Sequence, residues 1–439
     1  MSRSRVGCWV LITFCSVVVA PALAQFSFNP GATIPLPTRP DGVALADLNG
    51  DGRADFVASR DLPDRVSVLF GQGDGTFAAP VDYLTGGGTG AGPLVAADLD
   101  ADGDLDVAVA LHNANAVLVL RNNGAGVLAL AGTAPTGLNP EDIAAADLNG
   151  NDSIDLVVSN RDGNSVTVLL NAGTGTFAAS TIAVNEEPRG IVAADVTGDD
   201  RPDIAVVSHR DRLINVLRNN GDGTFALLTN LLLAGFLRGD GLAAGDLDGD
   251  SRIDLAVATE GNGLNFVTVF RNMAAGWSGG MNYATGGVNP DDLVLADLDC
   301  DRDLDVAVTN QDSNNLSVLP NNGAGVFGAG PVLAVGVRPG SLAAGDLDGD
   351  RDADLVTANR DSNDASVLMN TTCTPALRGD MNCDGVVNFD DINPFVLALS
   401  DPAGYAAAFP NCNILNGDVN GDGQVNFGDI NPFVAILAG

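Results

Sequence analysis

The sequence predicts a mainly β chain: a seven-bladed β-propeller followed by a small α-helical module. Three observations carry this. An Asp-rich nonapeptide occurs seven times, its starts 51, 49, 48, 51, 51 and 49 residues apart, and so regular a period marks one supersecondary unit used repeatedly. Each period holds four short β-prone segments, the content of one propeller blade. After the seventh copy the pattern changes to two longer Asp-rich loops that start 38 residues apart, each followed by Asn-Pro-Phe-Val.

The amino terminus comes first. Residues 1–24 carry Arg3 and Arg5, an apolar run from Val6 to Ala20, and Ala22-Leu23-Ala24. That is the make-up of a secretory signal peptide cut after Ala24. An apolar run of about 15 residues is short of the roughly 20 that span a bilayer. The mature chain is therefore expected to be secreted or at the cell surface, without a transmembrane segment. Cys300, Cys373, Cys383 and Cys412 would then meet an oxidising compartment, with three possible pairings. Cys383 with Cys412 is the expected pair, because both lie in the last 60 residues, and free thiols are the alternative.

Residues 25–372 form the expected propeller. The first nonapeptide, Asp47-Leu-Asn-Gly-Asp-Gly-Arg-Ala-Asp55, follows the apolar segment 43–46 and runs into a second one at 55–59. A third β-prone segment comes at 66–70, and the glycine turn Gly73-Asp-Gly-Thr-Phe77 opens a fourth. An immunoglobulin-like sandwich needs about 100 residues per unit, and a calcium-binding β-helix repeats about every nine, so neither fits. The seventh copy stops after its third strand at 365–369, whereas the segment from Phe26 to Pro40 resembles a fourth strand without a blade. Pairing the two would close the ring and remove an exposed edge.

Charge points the same way. All 21 basic residues are Arg, and of 56 acidic residues 52 are Asp and four are Glu. Asp favours turns and Glu favours helices, so the skew predicts many Asp-bearing loops. A net charge of −35 repels phosphate backbones and anionic lipid, which excludes nucleic acid and membrane surfaces as partners.

The nonapeptides hold 29 of the 52 Asp. Positions 1, 3, 5 and 9 are Asp47, Asn49, Asp51 and Asp55, then Asp98, Asp100, Asp102 and Asp106, then Asp147, Asn149, Asn151 and Asp155. The remaining copies give Asp195, Thr197, Asp199 and Asp203; Asp246, Asp248, Asp250 and Asp254; Asp297, Asp299, Asp301 and Asp305; and Asp346, Asp348, Asp350 and Asp354. Alternate residues of a tight turn aim oxygens at one point, and position 7 can add a backbone carbonyl. Three or four converging carboxylates repel unless a counter-charge is present, and Ca²⁺, with six to eight oxygen ligands, suits them better than Mg²⁺. The third copy has the fewest carboxylates of the seven at these positions, so it should bind most weakly. Metal binding should also support folding.

The Asp-x-Asn/Asp-x-Asp nonapeptide, the preceding Ala-Asp-Leu and the Gly-Asp-Gly-Thr-Phe turn resemble FG-GAP/VCBS repeats, the propeller type also seen at the head of integrin α chains. The resemblance implies structural calcium in these loops. Position 6 is Gly only at Gly52 and Gly103, which leaves the loop geometry of the other blades open.

Residues 373–439 carry the two longer loops, with candidate ligands Asp380, Asn382, Asp384, Asn388 and Asp391, and Asp418, Asn420, Asp422, Asn426 and Asp429. These are positions 1, 3, 5, 9 and 12 of the EF-hand spacing, with Gly385 and Gly423 at position 6. Asn393 or Asn431 is the expected helix cap, with Pro394 or Pro432 in the first turn. The pair resembles a type I dockerin, which implies a calcium-folded module that plugs into a cohesin on a scaffold protein. Positions 10 and 11, where cohesin-binding dockerins often carry small hydroxyl residues, are Phe389 and Asp390, then Phe427 and Gly428. Another attachment role therefore stands beside cohesin binding.

No hydrolase elbow, zinc-protease motif or phosphate loop occurs. His112 and His209, the only histidines, lack a motif and are expected to be structural or surface residues. The expected function is a calcium-binding, non-catalytic adhesion or ligand-binding propeller. Its partner would be a scaffold or surface component, and its ligand an extracellular protein or glycan. The alternative is a polysaccharide-degrading enzyme or an accessory of a cellulosome-like complex.

Overall fold

The computed structural model describes residues 26–36, 38–61, 64–372, 379–383, 387–409, 412, 414–419 and 424–438. The expected signal peptide, Cys373, Asp384, Asn420 and Asp422 lie outside the described residues.

Seven four-stranded antiparallel sheets form the blades. Blade 1 runs outward through Pro40–Ala46, Asp55–Asp61, Asp64–Leu69 and Val81–Leu84. The innermost strands of the other blades are Ala91–Ala97, Pro140–Ala146, Pro188–Ala194, Arg238–Gly245, Pro290–Ala296 and Pro339–Gly345. As the sequence predicts, the seventh blade is completed from the amino-terminal side. Phe28–Pro35 pairs antiparallel with Asp364–Asn370, Phe28 opposite Asn370 and Pro35 opposite Asp364. The amide of Thr371 donates to Ser27 O at 2.7 Å and extends this closure.

The second strand of each blade is the most buried. In Asp106–Leu111 all six residues are inaccessible, because both faces pack on neighbouring blades, and such strands read as continuous apolar runs. One seam joins Val57, Val66 and Val68 of blade 1 to Val107, Val109 and Leu118 of blade 2. Blade 5 departs from the others: a small hairpin, Asn272–Met273 with Gly276–Trp277, replaces the glycine turn.

A polar staple repeats at the blade seams. Asn122, Asn171, Asn219, Asn272, Asn321 and Asn370 follow or end the third strands of blades 2 to 7. Each donates its side-chain amide to the carbonyl at nonapeptide position 2 of the preceding blade; Asn122 reaches Leu48 O at 2.7 Å and Asn219 reaches Leu148 O at 2.9 Å. The same amide also meets the carbonyl at position 8 of its own blade, as Asn219 does at Pro202 O, 2.9 Å away. Blade 1 has Gly71 at the corresponding place, and Leu347 O of blade 7 accepts instead from the amide of Gly75 at 3.0 Å.

The carboxy-terminal module contains helices Ile392–Ser400, Pro402–Ala408 and Ile430–Ala438. Two of them follow short 3₁₀ turns, Phe389–Asp391 and Phe427–Asp429. The cap is Asn388 or Asn426, in a reciprocal capping box with Asp391 or Asp429, rather than the expected Asn393 or Asn431. Helical winding begins earlier than the proline suggests, and Pro394 still falls in the first turn, where its missing N–H costs little. Phe395 and Phe433 stack at 4.2 Å between ring centres, and Cys383 is disulfide-bonded to Cys412, the expected pair. Cys300 is also disulfide-bonded. Arg351 of blade 7 meets Asp418 of the module at 3.6 Å. Among the described residues no helix is long and apolar enough to cross a membrane.

Candidate functional site

Each nonapeptide links the end of an innermost strand to the start of the second. Position 1 winds the loop: the carboxylate of Asp47 accepts from the amides of Gly50, Asp51 and Gly52 at 2.8, 3.2 and 2.8 Å. Asp195 does the same for Gly198, Asp199 and Asp200. Positions 4 and 6 have positive φ in all seven loops, including Ala101, Cys300, Asp152, Asp200, Ser251, Arg302 and Arg351. The geometry is therefore common to every blade despite the missing glycines. Hydrogen bonds to position 1 offset the modest cost of left-handed backbone at a residue with a Cβ.

Position 9 is fully buried in each loop or nearly so. One oxygen of Asp155 accepts from Leu148 N at 3.0 Å and the other from Asn171 N at 2.6 Å. Burial nonetheless pushes these carboxyls up, Asp254 to about 6 and Asp305 and Asp354 to about 7. Asp is required because the shorter carboxylate spans the two amides from a strand start.

Four loops bring three carboxylates together with ligand oxygens within 4.8 Å of one another: Asp98, Asp100 and Asp106; Asp246, Asp248 and Asp250; Asp297, Asp299 and Asp305; Asp346, Asp348 and Asp354. Asp102, Asp301, Asp350 and Asp254 stand outside these groups. In blade 3, Asn149 donates to Asp155 at 2.9 Å and Asn151 turns to Asn171 O, also 2.9 Å. Buried oxygens without a hydrogen-bond donor occur on Asp98, Asp100, Asp199, Asp248 and Asp297. All five residues are candidate ligands, and hard oxygens so exposed to one another fit Ca²⁺ chemistry. Sequence reasoning missed Asp352 at position 7, whose buried carboxyl is pushed up to about 8 by burial and by Asp350; an Asp at that position was the available signal.

In the carboxy-terminal module, Asp391 accepts from the amides of Met381, Asn382 and Asn388 at 2.7, 3.0 and 2.8 Å. Asp429 accepts from Asn426 N at 2.9 Å. Position 12 thus folds each loop back on its helix start.

At the opposite end of the blades lies a second feature. The starts of the innermost strands, with the turns after the second strands, line a funnel of about 680 Å³. The strands converge so closely that a Cβ on Gly190 or Gly241 would lie 2.5 Å from Asp240 O or 2.6 Å from Asp291 O. His112 and His209, expected to be structural or surface residues, both line this funnel. His112 lies 2.5 Å from Pro140 O and 3.1 Å from Asp41. His209 lies 3.0 Å from Gly239 O and 3.3 Å from Asp240. Burial pushes Asp142 and Asp291 up to about 7 and Asp292 to about 6. These residues carried no sequence signal, because each blade contributes different side chains at the equivalent place.

Fold and loops together define a closed seven-bladed propeller with an Asp loop in every blade. The chain belongs to the FG-GAP-like repeat family, whose model matches residues 47–109, 98–158, 147–206, 195–257 and 297–357. The interval 258–296 left between matches holds most of blade 5, where the glycine turn is replaced. No curated protein matches the sequence. A streptogramin B lyase structure is similar in fold, with 14% identity, a TM-score of 0.54, and coverage of 80% of this chain and all of the lyase. Virginiamycin B lyase from Staphylococcus aureus gives 12% identity, a TM-score of 0.54 and coverage of 78% and 99%. Periplasmic gluconolactonase from Pseudomonas aeruginosa gives 17%, 0.53, and 73% and 88%. These likenesses concern the propeller fold.

Proposed function

We propose that the chain is a secreted, calcium-loaded propeller that binds a ligand rather than transforming one, and that its carboxy-terminal module is a dockerin-like tether to a cohesin-bearing scaffold or a surface component. The observation that supports calcium most directly is the set of buried, donor-less oxygens on Asp98, Asp100, Asp199, Asp248 and Asp297, all at ligand positions of the repeat. Calcium would supply the missing positive charge, while Asp47 and its equivalents hold the loop backbone in place. Calorimetric melting in excess CaCl₂ and in EDTA tests this. A higher melting temperature with calcium is expected, and superimposable melts would remove the reading.

A second reading, an extracellular polysaccharide-degrading enzyme, draws on one observation. Glycoside hydrolysis uses a carboxylic acid of raised pKa beside an ionised carboxylate, and the funnel contains carboxyls raised to about 7 at Asp142 and Asp291. Release of sugars from a polysaccharide panel by the wild type, lost in Asp291→Asn, would favour hydrolysis over binding.

A further inference from the structure

The funnel is polar almost throughout, Pro93 being the one apolar side chain larger than glycine among its lining residues. It sets five arginines against eight carboxylates. Three arginines are already matched within it: Arg161 with Glu141 at 3.2 Å, Arg189 with Asp240 at 2.5 Å, and Arg360 with Asp41. Asp142, Asp291 and Asp292 form no ion pair among the described residues. Backbone amides hold two of them toward the next blade: Ile191 N donates to Asp142 and Leu342 N to Asp292, both at 2.9 Å. Gln311 donates to Asp291 at 2.6 Å. Asp142 and Asp292 repel one another although they belong to blades 3 and 6, so the excess negative charge converges on the neck of the funnel.

Two further facts narrow the ligand. Among the described residues these three carboxylates do not form a close group like the four in the loops, whose oxygens lie within 4.8 Å of one another. Meanwhile the His209 side chain is only 9% exposed. With the Nδ1 proton given to Gly239 O, Nε2 is left as an acceptor without a partner among the described residues. Separated acceptors around a cavity suit a cation that carries several N–H donors on a hydrogen-bonding body. The neighbouring Arg–carboxylate pairs offer donors and acceptors side by side, which suits hydroxyl groups, and no Phe, Tyr or Trp is among the lining residues.

We propose that the funnel binds a small polyhydroxylated amine of the amino-sugar class, its ammonium at the neck among Asp142, Asp291 and Asp292 and one donor directed to His209 Nε2. This rests on the reading of the chain as a ligand-binding propeller and gives that ligand a chemical class.

Titration calorimetry of the calcium-loaded full chain with D-glucosamine, D-glucose and N-acetyl-D-glucosamine tests it, since the three differ chiefly in the charge and substituent at one carbon. Glucosamine should bind, and the two uncharged sugars should bind at least about tenfold more weakly. Asp291→Asn and Asp292→Asn should each weaken glucosamine binding about tenfold or more, whereas Asp222→Asn, in the exposed turn of blade 4, should leave it unchanged. Equal affinity for glucose, no heat with glucosamine, or unaltered affinity in both funnel variants would overturn the proposal. The sugar series needs no variant and so survives a variant that fails to fold. Melting of the same samples with EDTA reports on loop calcium separately, so a loss of the calcium reading and a loss of the funnel reading give different results.

Discussion

At the scale of single residues, a buried Asp within the blade positions the Asn that reaches across to the blade before it. The carboxylate of Asp203 ties Val196 N to Asn219 N, at 3.2 and 2.8 Å, and the amide of Asn219 then reaches Leu148 O and Pro202 O. Asn219 is 1% exposed, so Asn219→Ala strands two buried carbonyls and should cost about 2–3 kcal/mol, read as a lower denaturant midpoint with calcium present. Ligand positions 1, 3, 5 and 9 were legible in the sequence because they repeat in every blade. The Asn staple also repeats, ahead of the glycine turn, but its meaning lies in a carbonyl more than 70 residues away, which spacing alone does not reveal. In a chelator titration the third loop should release metal first, because Asn149 and Asn151 replace carboxylates and both amides are engaged elsewhere. Retention there beyond the loops of blades 6 and 7 would contradict the dependence of affinity on ligand charge.

At the scale of elements, the closing strand was legible because the seventh repeat lacks a fourth segment and the amino-terminal side supplies one. Deleting residues 26–36 removes Phe28–Pro35 and bares the edge of Asp364–Asn370. The shortened protein should melt at a lower temperature and form larger species on size exclusion; an unchanged melt and elution profile would show that the ring does not depend on this strand. The helix starts of the carboxy-terminal module were less legible. Asn-Pro suggested a cap at Asn393, yet the loop's own positions 9 and 12, Asn388 and Asp391, make the capping box. Tertiary closure of the loop overrides the local cap signal, since Asp391 also holds the amides of Met381 and Asn382.

For the whole molecule, charge and pH are coupled. Burial raises Asp305 and Asp354 to about 7 and Asp254 to about 6 in the metal-free fold, against roughly 3.9 in an unfolded chain. A raised carboxyl favours the folded state when protonated, so this contribution is present below about pH 4 and is lost as pH climbs through 6 to 7. In EDTA the melting temperature should therefore fall between about pH 5 and about pH 8. Calcium competes with protons for the same oxygens, so in CaCl₂ that fall should shrink or reverse. Parallel pH profiles in the two buffers would separate the raised carboxyls from metal binding. The funnel was not legible at all. It draws three or four residues from each blade, and comparable places hold Asp41, Glu141, Arg189, Asp240, Asp291 and Gly340, four residue types among six blades, so no repeat records it.

The ion pair between Arg351 and Asp418 places the carboxy-terminal module against the Asp-loop end of blade 7, whereas the funnel opens from the other ends of the same strands. A chain anchored through that module would stand like a cup on its base, with the mouth turned away from whatever holds it and open to solutes passing above.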